Sequence, residues 1–171
     1  MWPSRQDGMV HACAEDNMIE ARLHGRGGQG AVTAAELVAQ AAIAEGKYAQ
    51  GFPSFGPERR GAPVTAYLRV SDKAISLREP VNAPDVVVVL DNSLIGLVDV
   101  TEGLISGGTL LVNLSLDQQD KLSDLNGKYR LALVDATSIA LEEMGVAITN
   151  TAIIGALIRS MGLCDLPSLE A

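Results

Sequence analysis

Two stretches carry residues able to do chemistry. The first is "HGRGGQGA", His24–Ala31, in which Gly25, Gly27 and Gly30 satisfy G-x-G-x-x-G. Glycines at that spacing permit a tight turn and close approach of a ligand to the backbone. A helix starting there presents free N–H groups to an anion. The chemistry this suits is the holding of a phosphate, by Gly25, Arg26, Gly27, Gly28, Gln29 and Gly30, rather than bond breaking. Taken alone, the spacing is a dinucleotide-binding fingerprint. NAD and FAD are disfavoured, because about 20 residues on a second strand should end in Asp or Glu to hold the ribose. Here the chain reads "KYAQGFPSFGP", with two prolines and no acid. Arg26 and Gln29 are also longer and more polar than a packed pyrophosphate turn requires. A tight strand-to-helix turn that serves packing or a neighbouring protein is the competing reading.

The second stretch is "GFPSFGPERRGAPV", Gly51–Val64. Three prolines stiffen it and three glycines permit sharp bends. A long ordered loop inside a compact domain is usually functional. Phe52 and Phe55 are apolar anchors in a chain with 4% aromatic residues. Arg59 and Arg60 offer forked donors to carboxylates or phosphates. Phe52, Pro53, Ser54, Phe55, Gly56, Pro57, Glu58, Arg59 and Arg60 are therefore candidate interface residues, with Arg59 and Arg60 also candidate anion ligands. Glu58 beside two arginines is equally readable as a solvated ion pair of little energetic weight.

The elements around these stretches follow from patterning. "IEARLHG" (Ile19–Gly25) reads as a first strand. Gly30–Gly46 reads as a helix with Ala31, Ala34, Ala35, Val38, Ala41 and Ala42 on one face. "VTAYLRV" (Val64–Val70) alternates as a strand does, with "AISL" (Ala74–Leu77) as its expected hairpin partner. "PDVVVVLDN", "GGTLLVNLS" and "YRLALVDAT" are apolar runs without alternation, as in parallel strands buried on both faces. Helical segments are expected at Leu94–Ile105 in broken form, Asp117–Leu125, Ser138–Met144 and Thr149–Met161. The expected fold is α/β: a single doubly wound, Rossmann-like, mostly parallel sheet with helices on both faces, plus a β-hairpin and the long Pro/Gly-rich loop.

Composition excludes several classes. The 171 residues suit one domain, and 47% apolar content suffices for a core. Lys plus Arg is 13 against 21 Asp plus Glu, a net charge of −8. That argues against nucleic-acid or membrane-surface binding. Cys13 and Cys164 form no CxxC pair, so a cluster or structural zinc held by this chain alone is not expected. Two isolated cysteines fit a reducing cytoplasm. No apolar run approaches a membrane span. Residues 1–17 are polar and patternless, and read as a flexible extension before a domain covering 18–171. His11 falls in that extension, and His24, at the end of a strand, is read as structural or an interface contact.

The sequence also resembles a known family. "HGRGGQGAVTAAELVAQAA", "EGKYAQGFPSFGPERRGAPV" and "LRVSD", with "PDVVVVLDNSL", "GGTLLVN", "VDATSIALEEMG" and "NTAIIGAL", are similar to the γ subunit of pyruvate:ferredoxin oxidoreductase. This is the γ domain of the 2-oxoacid:acceptor oxidoreductase superfamily, and the resemblance runs from about Met18 to the C-terminus. It implies one part of a larger enzyme that converts a 2-oxoacid and coenzyme A to acyl-CoA and CO2, passing electrons to ferredoxin, in some members reversibly. It implies α, β and δ-type partner subunits. Thiamine diphosphate, Mg and iron–sulfur clusters belong to the other subunits, coenzyme A binds on or with them, and this chain alone holds none. No catalytic residue is expected here, and the isolated chain is expected to be inactive. Pyruvate as substrate is implied by the resemblance alone. Two readings of the loop then compete: it is an assembly surface that docks on the large subunit and shields its active site, or its arginines, with Arg26, also meet the anionic part of coenzyme A or help close the catalytic cavity. Two alternatives stand beside it: a stand-alone nucleotide- or CoA-binding Rossmann-like module, and a pure assembly protein.

Overall fold

A computed structural model describes residues 18–54, 60–125, 127–164 and 167. The 1–17 extension, with His11 and Cys13, and Phe55, Gly56, Pro57, Glu58 and Arg59 of the loop lie outside the described residues.

Six strands form one sheet in the order β2-β3-β1-β4-β5-β6. β1 (Ile19–Arg26) is central because its alternation gives two usable faces. Ala21 and Leu23 are fully buried on one side, and the polar residues point to the other. β4 (Val86–Val89) lies parallel to β1, and β5 (Thr109–Asn113) and β6 (Arg130–Val134) continue the parallel half. All four valines of β4 are fully buried, the unbroken pattern of a strand covered on both faces.

The helix α1 (Ala31–Ala44) lies over β1, β2 and β3. Its buried face is nearly all alanine, so its backbone comes unusually close to the sheet. At Gly51 a Cβ would sit 2.7 Å from the Ala35 carbonyl oxygen. α2 (Ala136–Met144) and α3 (Asn150–Met161) complete that layer. The opposite face is covered by Leu94, Val100 and Leu104, with Leu122 of a 3-10 segment at Leu116–Leu125, packed on Val87, Val89, Leu110 and Val112. That segment coincides with the helix expected at 117–125, as a 3-10 helix, whereas of the broken helix expected at 94–105 only the short 3-10 turn Asn92–Leu94 reaches its start.

One pairing corrects the sequence reading. β3 (Pro63–Ser71) does not form its hairpin with Ala74–Leu77, which is irregular. It lies between β1 and β2 (Tyr48–Pro53), antiparallel to both, with Gly51 opposite Leu68 and Phe52 opposite Tyr67 on the β2 side. Thus Gly51–Pro53 and Pro63–Val64 of the presumed loop are strand. Pro53 is tolerated because β2 is an edge strand, where a missing N–H need not break a ladder. The 74–80 stretch lies alongside instead, and the Ile75 carbonyl accepts from Gln50 Nε2 at 3.3 Å.

Candidate functional site

The chain leaves β1 for α1, β2 and β3 on one side of it, then returns to β4 on the other. This reversal makes a topological switch point between β1 and β4, and open α/β sheets place their ligands beyond the carboxyl ends of the strands at such points. The glycine turn follows the carboxyl end of β1.

Gly30 closes the turn in the left-handed region, φ 77°, as the residue preceding α1. Gly28 is also left-handed, and a Cβ there would meet nothing within 4 Å. Backbone at Gly28 therefore faces open space, and the first-turn N–H groups of α1 have no partner within the helix. These features fit an anionic oxygen.

Arg26 and Gln29 hold the turn together from within. Arg26 Nη1 donates to the Gly61 carbonyl (3.0 Å) and Nη2 to Ser93 Oγ (2.8 Å). Its Nε lies 3.2 Å from Asp91 Oδ2 and from Ser93 Oγ. All three nitrogens are engaged, so Arg26 fastens the turn to the end of β4, with one N–H on each of Nη1 and Nη2 left over. Gln29 works in the same direction: its Oε1 accepts from Arg26 N (2.7 Å), and its Nε2 donates to Asp91 Oδ2 (2.8 Å). Asp91 is the hub. Burial alone would push its carboxyl up, but hydrogen bonds from Ser93 and Gln29, with the Arg26 charge, hold it below the usual carboxylate range. Its charge is thus matched within the turn.

The arginine loop meets the same turn. Gly27 N donates to the Ala62 carbonyl (2.9 Å), and Gly61 N donates back to the Gly27 carbonyl (3.1 Å). Gly27 and Arg60 form an isolated bridge. Arg60 is exposed at this junction. Of the other candidate loop residues described, Phe52 stacks near Tyr67, ring centroids 5.3 Å apart, and lies 5.6 Å from the Arg69 guanidinium. Phe52, Pro53 and Ser54 are half-buried, with Ser54 N donating to the Thr65 carbonyl (2.8 Å). Phe52 is thus an intramolecular anchor for the outer strands.

His24 is buried within the fold. Arg22 Nε donates to its Nε2 at 3.0 Å, which requires a neutral ring with the proton on Nδ1. Burial, then the Arg22 charge, pushes its pKa down to about 4. Arg22 in turn donates from Nη2 to the Val100 and Glu102 carbonyls, tying β1 to the loop above it.

Three site residues escaped the sequence reading: Asp91, Ser93 and Asn150. The first two lie two and four residues beyond the last valine of β4, at the carboxyl end of a parallel strand, and that position was the available signal. Asn150 opens α3, and its side-chain nitrogen lies 2.6 Å from where a Cβ of Gly30 would be. No local pattern links residues 30 and 150.

Among the described residues no group of three or more His, Cys, Asp or Glu is placed to hold a metal ion. No helix among them is long and apolar enough to cross a membrane. The second strand of a dinucleotide fold is also missing from its place: beside β1 stands antiparallel β3, and the Tyr48–Pro53 strand lies at the outer edge.

Comparison with known proteins converges on one family. The model of the family described as pyruvate ferredoxin/flavodoxin oxidoreductase matches residues 20–171. The pyruvate/ketoisovalerate oxidoreductases common subunit gamma of Thermococcus kodakarensis is 57% identical over 154 residues, 90% of this chain and 83% of the relative. The pyruvate synthase subunit PorC of Methanocaldococcus jannaschii is 48% identical over 153 residues, again 90% and 83%. The crystal structure of the pyruvate oxidoreductase subunit PORC of Thermotoga maritima superposes with TM-score 0.77 at 41% identity, covering 90% of this chain and 82% of that one. With its doubly wound sheet, its fastened glycine turn and these relatives, the chain belongs to the pyruvate ferredoxin/flavodoxin oxidoreductase family, as a gamma subunit of a multisubunit 2-oxoacid oxidoreductase.

Proposed function

We propose that this gamma subunit serves a pyruvate:ferredoxin oxidoreductase, built with α, β and δ-type subunits in the cytoplasm, and that its glycine turn and arginine loop jointly hold the phosphates of coenzyme A while docking against a partner subunit. The single observation behind this reading is the lacing of the two stretches into one unit: Gly27 and Ala62, Gly61 and Gly27, and Arg26 and Gly61 are directly hydrogen-bonded. Open space beside Gly28 and the exposed cation of Arg60 are thereby held close to each other. A pyrophosphate needs that combination: backbone N–H donors at a helix start and a guanidinium able to bond two oxygens. Pyruvate is favoured by the names of the relatives, which are pyruvate/ketoisovalerate oxidoreductase and pyruvate synthase subunits. Thiamine diphosphate, Mg and iron–sulfur clusters are assigned to the other subunits, which carry the decarboxylation and the electron transfer to ferredoxin.

Arg60→Ala in the assembled complex tests the reading. The expected outcome is a several-fold rise in the Michaelis constant for coenzyme A, with that for the 2-oxoacid unchanged. An exposed arginine that contacts no ligand contributes under about 1 kcal/mol, and its loss would leave both constants unmoved. Loss of subunit association instead, seen by gel filtration, would assign Arg60 to docking alone.

A further inference from the structure

β2 ends the sheet on one side, and Ala49–Phe52 line an open groove of about 590 Å³ there. Glu36, Gln40 and Ile43 of α1 line it too, as do Leu77 and Arg78. Ile43 is 53%, Tyr48 50% and Leu77 38% exposed, so apolar surface gathers beside an edge strand. Such an edge is a template for another strand.

The register fixes what the edge offers. Ser54 N donates to the carbonyl of Thr65, the residue that continues the β2–β3 pairing opposite it. Bonded and unbonded positions alternate along an antiparallel pair. Tyr48, Gln50 and Phe52 therefore spend their backbone groups on β3, and Ala49, Gly51 and Pro53 turn theirs outward. Those outward groups have no hydrogen-bond partner among the described residues. Pro53 has no N–H, so Ala49 and Gly51 alone offer both a donor and an acceptor.

This pattern is complementary to itself. A two-fold axis through Gln50 sets Ala49 opposite Gly51 of a second copy, and Gly51 opposite its Ala49, so each of these donors meets an acceptor. An axis through Gly51 would face Ala49 with Pro53 and leave a donor missing on each side. An axis through Ala49 would need Lys47 N, which already donates to the Ala42 carbonyl at 3.0 Å. With the axis at Gln50, exposed Tyr48 also falls opposite Phe52 of the second copy, in the closer, unbonded kind of pair that favours aromatic contact. On the other face, α1 runs antiparallel to β2, and its Ala35 carbonyl lies over Gly51. At rises of about 3.3 Å per strand residue and about 1.5 Å per helix residue, Glu36 comes roughly level with Gln40 of the second copy. An amide there can donate to a carboxylate, and no like charges are opposed.

We propose that two copies of this subunit join edge to edge through β2, about a two-fold axis at Gln50, into one continuous sheet. The same patch is used on both copies, so the contact closes at a dimer and leaves no β2 edge open.

The test is disulfide trapping in the complete complex carrying Gln50→Cys. In this register the residue faces itself across the axis at about 4.5 Å between Cα atoms, a separation that a disulfide bridges. Mild oxidation should give a band at twice the mass of this subunit on a non-reducing gel, absent from the unsubstituted complex. Tyr48→Cys alone should give none, and Tyr48→Cys with Phe52→Cys should restore it; this pair decides the matter if Gln50→Cys does not assemble. Ala49→Pro places a second proline at the outward parity of Pro53, so the full-length chain should keep its circular dichroism while sedimentation shows loss of the dimer. Absence of the doubled band overturns the proposal. A cross-link from position 50 to a different subunit also overturns it and gives the edge to that partner. A dimer left intact by Ala49→Pro overturns the register.

Discussion

On one side of β1, Ala21 and Leu23 lie fully buried under the alanines of α1. On the other, Arg22 and His24 are buried within hydrogen-bond distance of each other, and Glu20 pairs with Arg69 at 2.8 Å. The strand is one, and its two faces are stabilised by opposed means. The α1 face depends on volume: small side chains let a helix backbone press on the sheet, as at Gly25, where a Cβ would lie 3.3 Å from that of Ala31. The other face depends on every charge finding its partner away from water. Arg69 is 1% exposed, and its Nη1 has no hydrogen-bond partner among the described residues, so it relies heavily on Glu20. Volume errors can be partly relaxed by neighbouring side chains. An unpaired buried charge has no such recourse, and the polar face should be the more fragile of the two.

The most severe break is Glu20→Gln. Leaving the Arg69 charge buried without its carboxylate should cost about 3–5 kcal/mol, read from urea unfolding of the purified chain. The double change Glu20→Leu with Arg69→Met should recover most of that loss, since an apolar pair removes both charges. If Glu20→Gln costs under ~1 kcal/mol, the fragility argued for this face is wrong.

Acid should find the same face next. The pKa of His24, about 4 in the fold, lies below the ordinary 6.5. The unfolded chain therefore binds more protons across this interval. Stability is fully present above about pH 6.5 and is lost as pH falls toward 4, by on the order of 3 kcal/mol. Unfolding free energies at pH 4.5 and 7 measure it. His24→Gln, which keeps an acceptor for Arg22, should flatten the slope in that window, and an unaltered slope would assign the acid sensitivity to other groups.

On the apolar face, Ala34→Leu should be milder. Ala34 is fully buried on the α1 face that packs against the sheet. Added methylenes in such a core cost about 1–3 kcal/mol. A thermal midpoint equal to that of the unsubstituted chain would show that α1 can lift from the sheet freely, and the contrast between the faces would then concern only charge.

Much of the fold was legible from local patterns. The alternation of β1, the alanine stripe of α1 and the valine run of β4 each follow from side-chain periodicity against one or two buried faces, which needs no knowledge of distant residues. β2 was not legible. "YAQGFP" contains a glycine and a proline, both depleted in strands, and only its edge position and the close backbone of α1 over Gly51 make it a strand. The nearer candidate partner for β3, Ala74–Leu77, had the better pattern and lost the pairing.

The candidate site divides in the same way. The residues of the glycine turn, and the loop's likeness to a gamma subunit, stand in the sequence itself, because a helix start with glycines at fixed spacing is a local device. That Arg26 is a fastener, that Gly27 joins the loop at Arg60 and Ala62, and that Asn150 rests on Gly30 were decided only by tertiary structure. Each depends on bringing together groups 33 to 120 positions apart, Gly27 with Arg60 and Gly30 with Asn150 at the extremes. The register between strands and the place where two helices begin settle which donors are spent and which remain, and neither is encoded in any short stretch of chain.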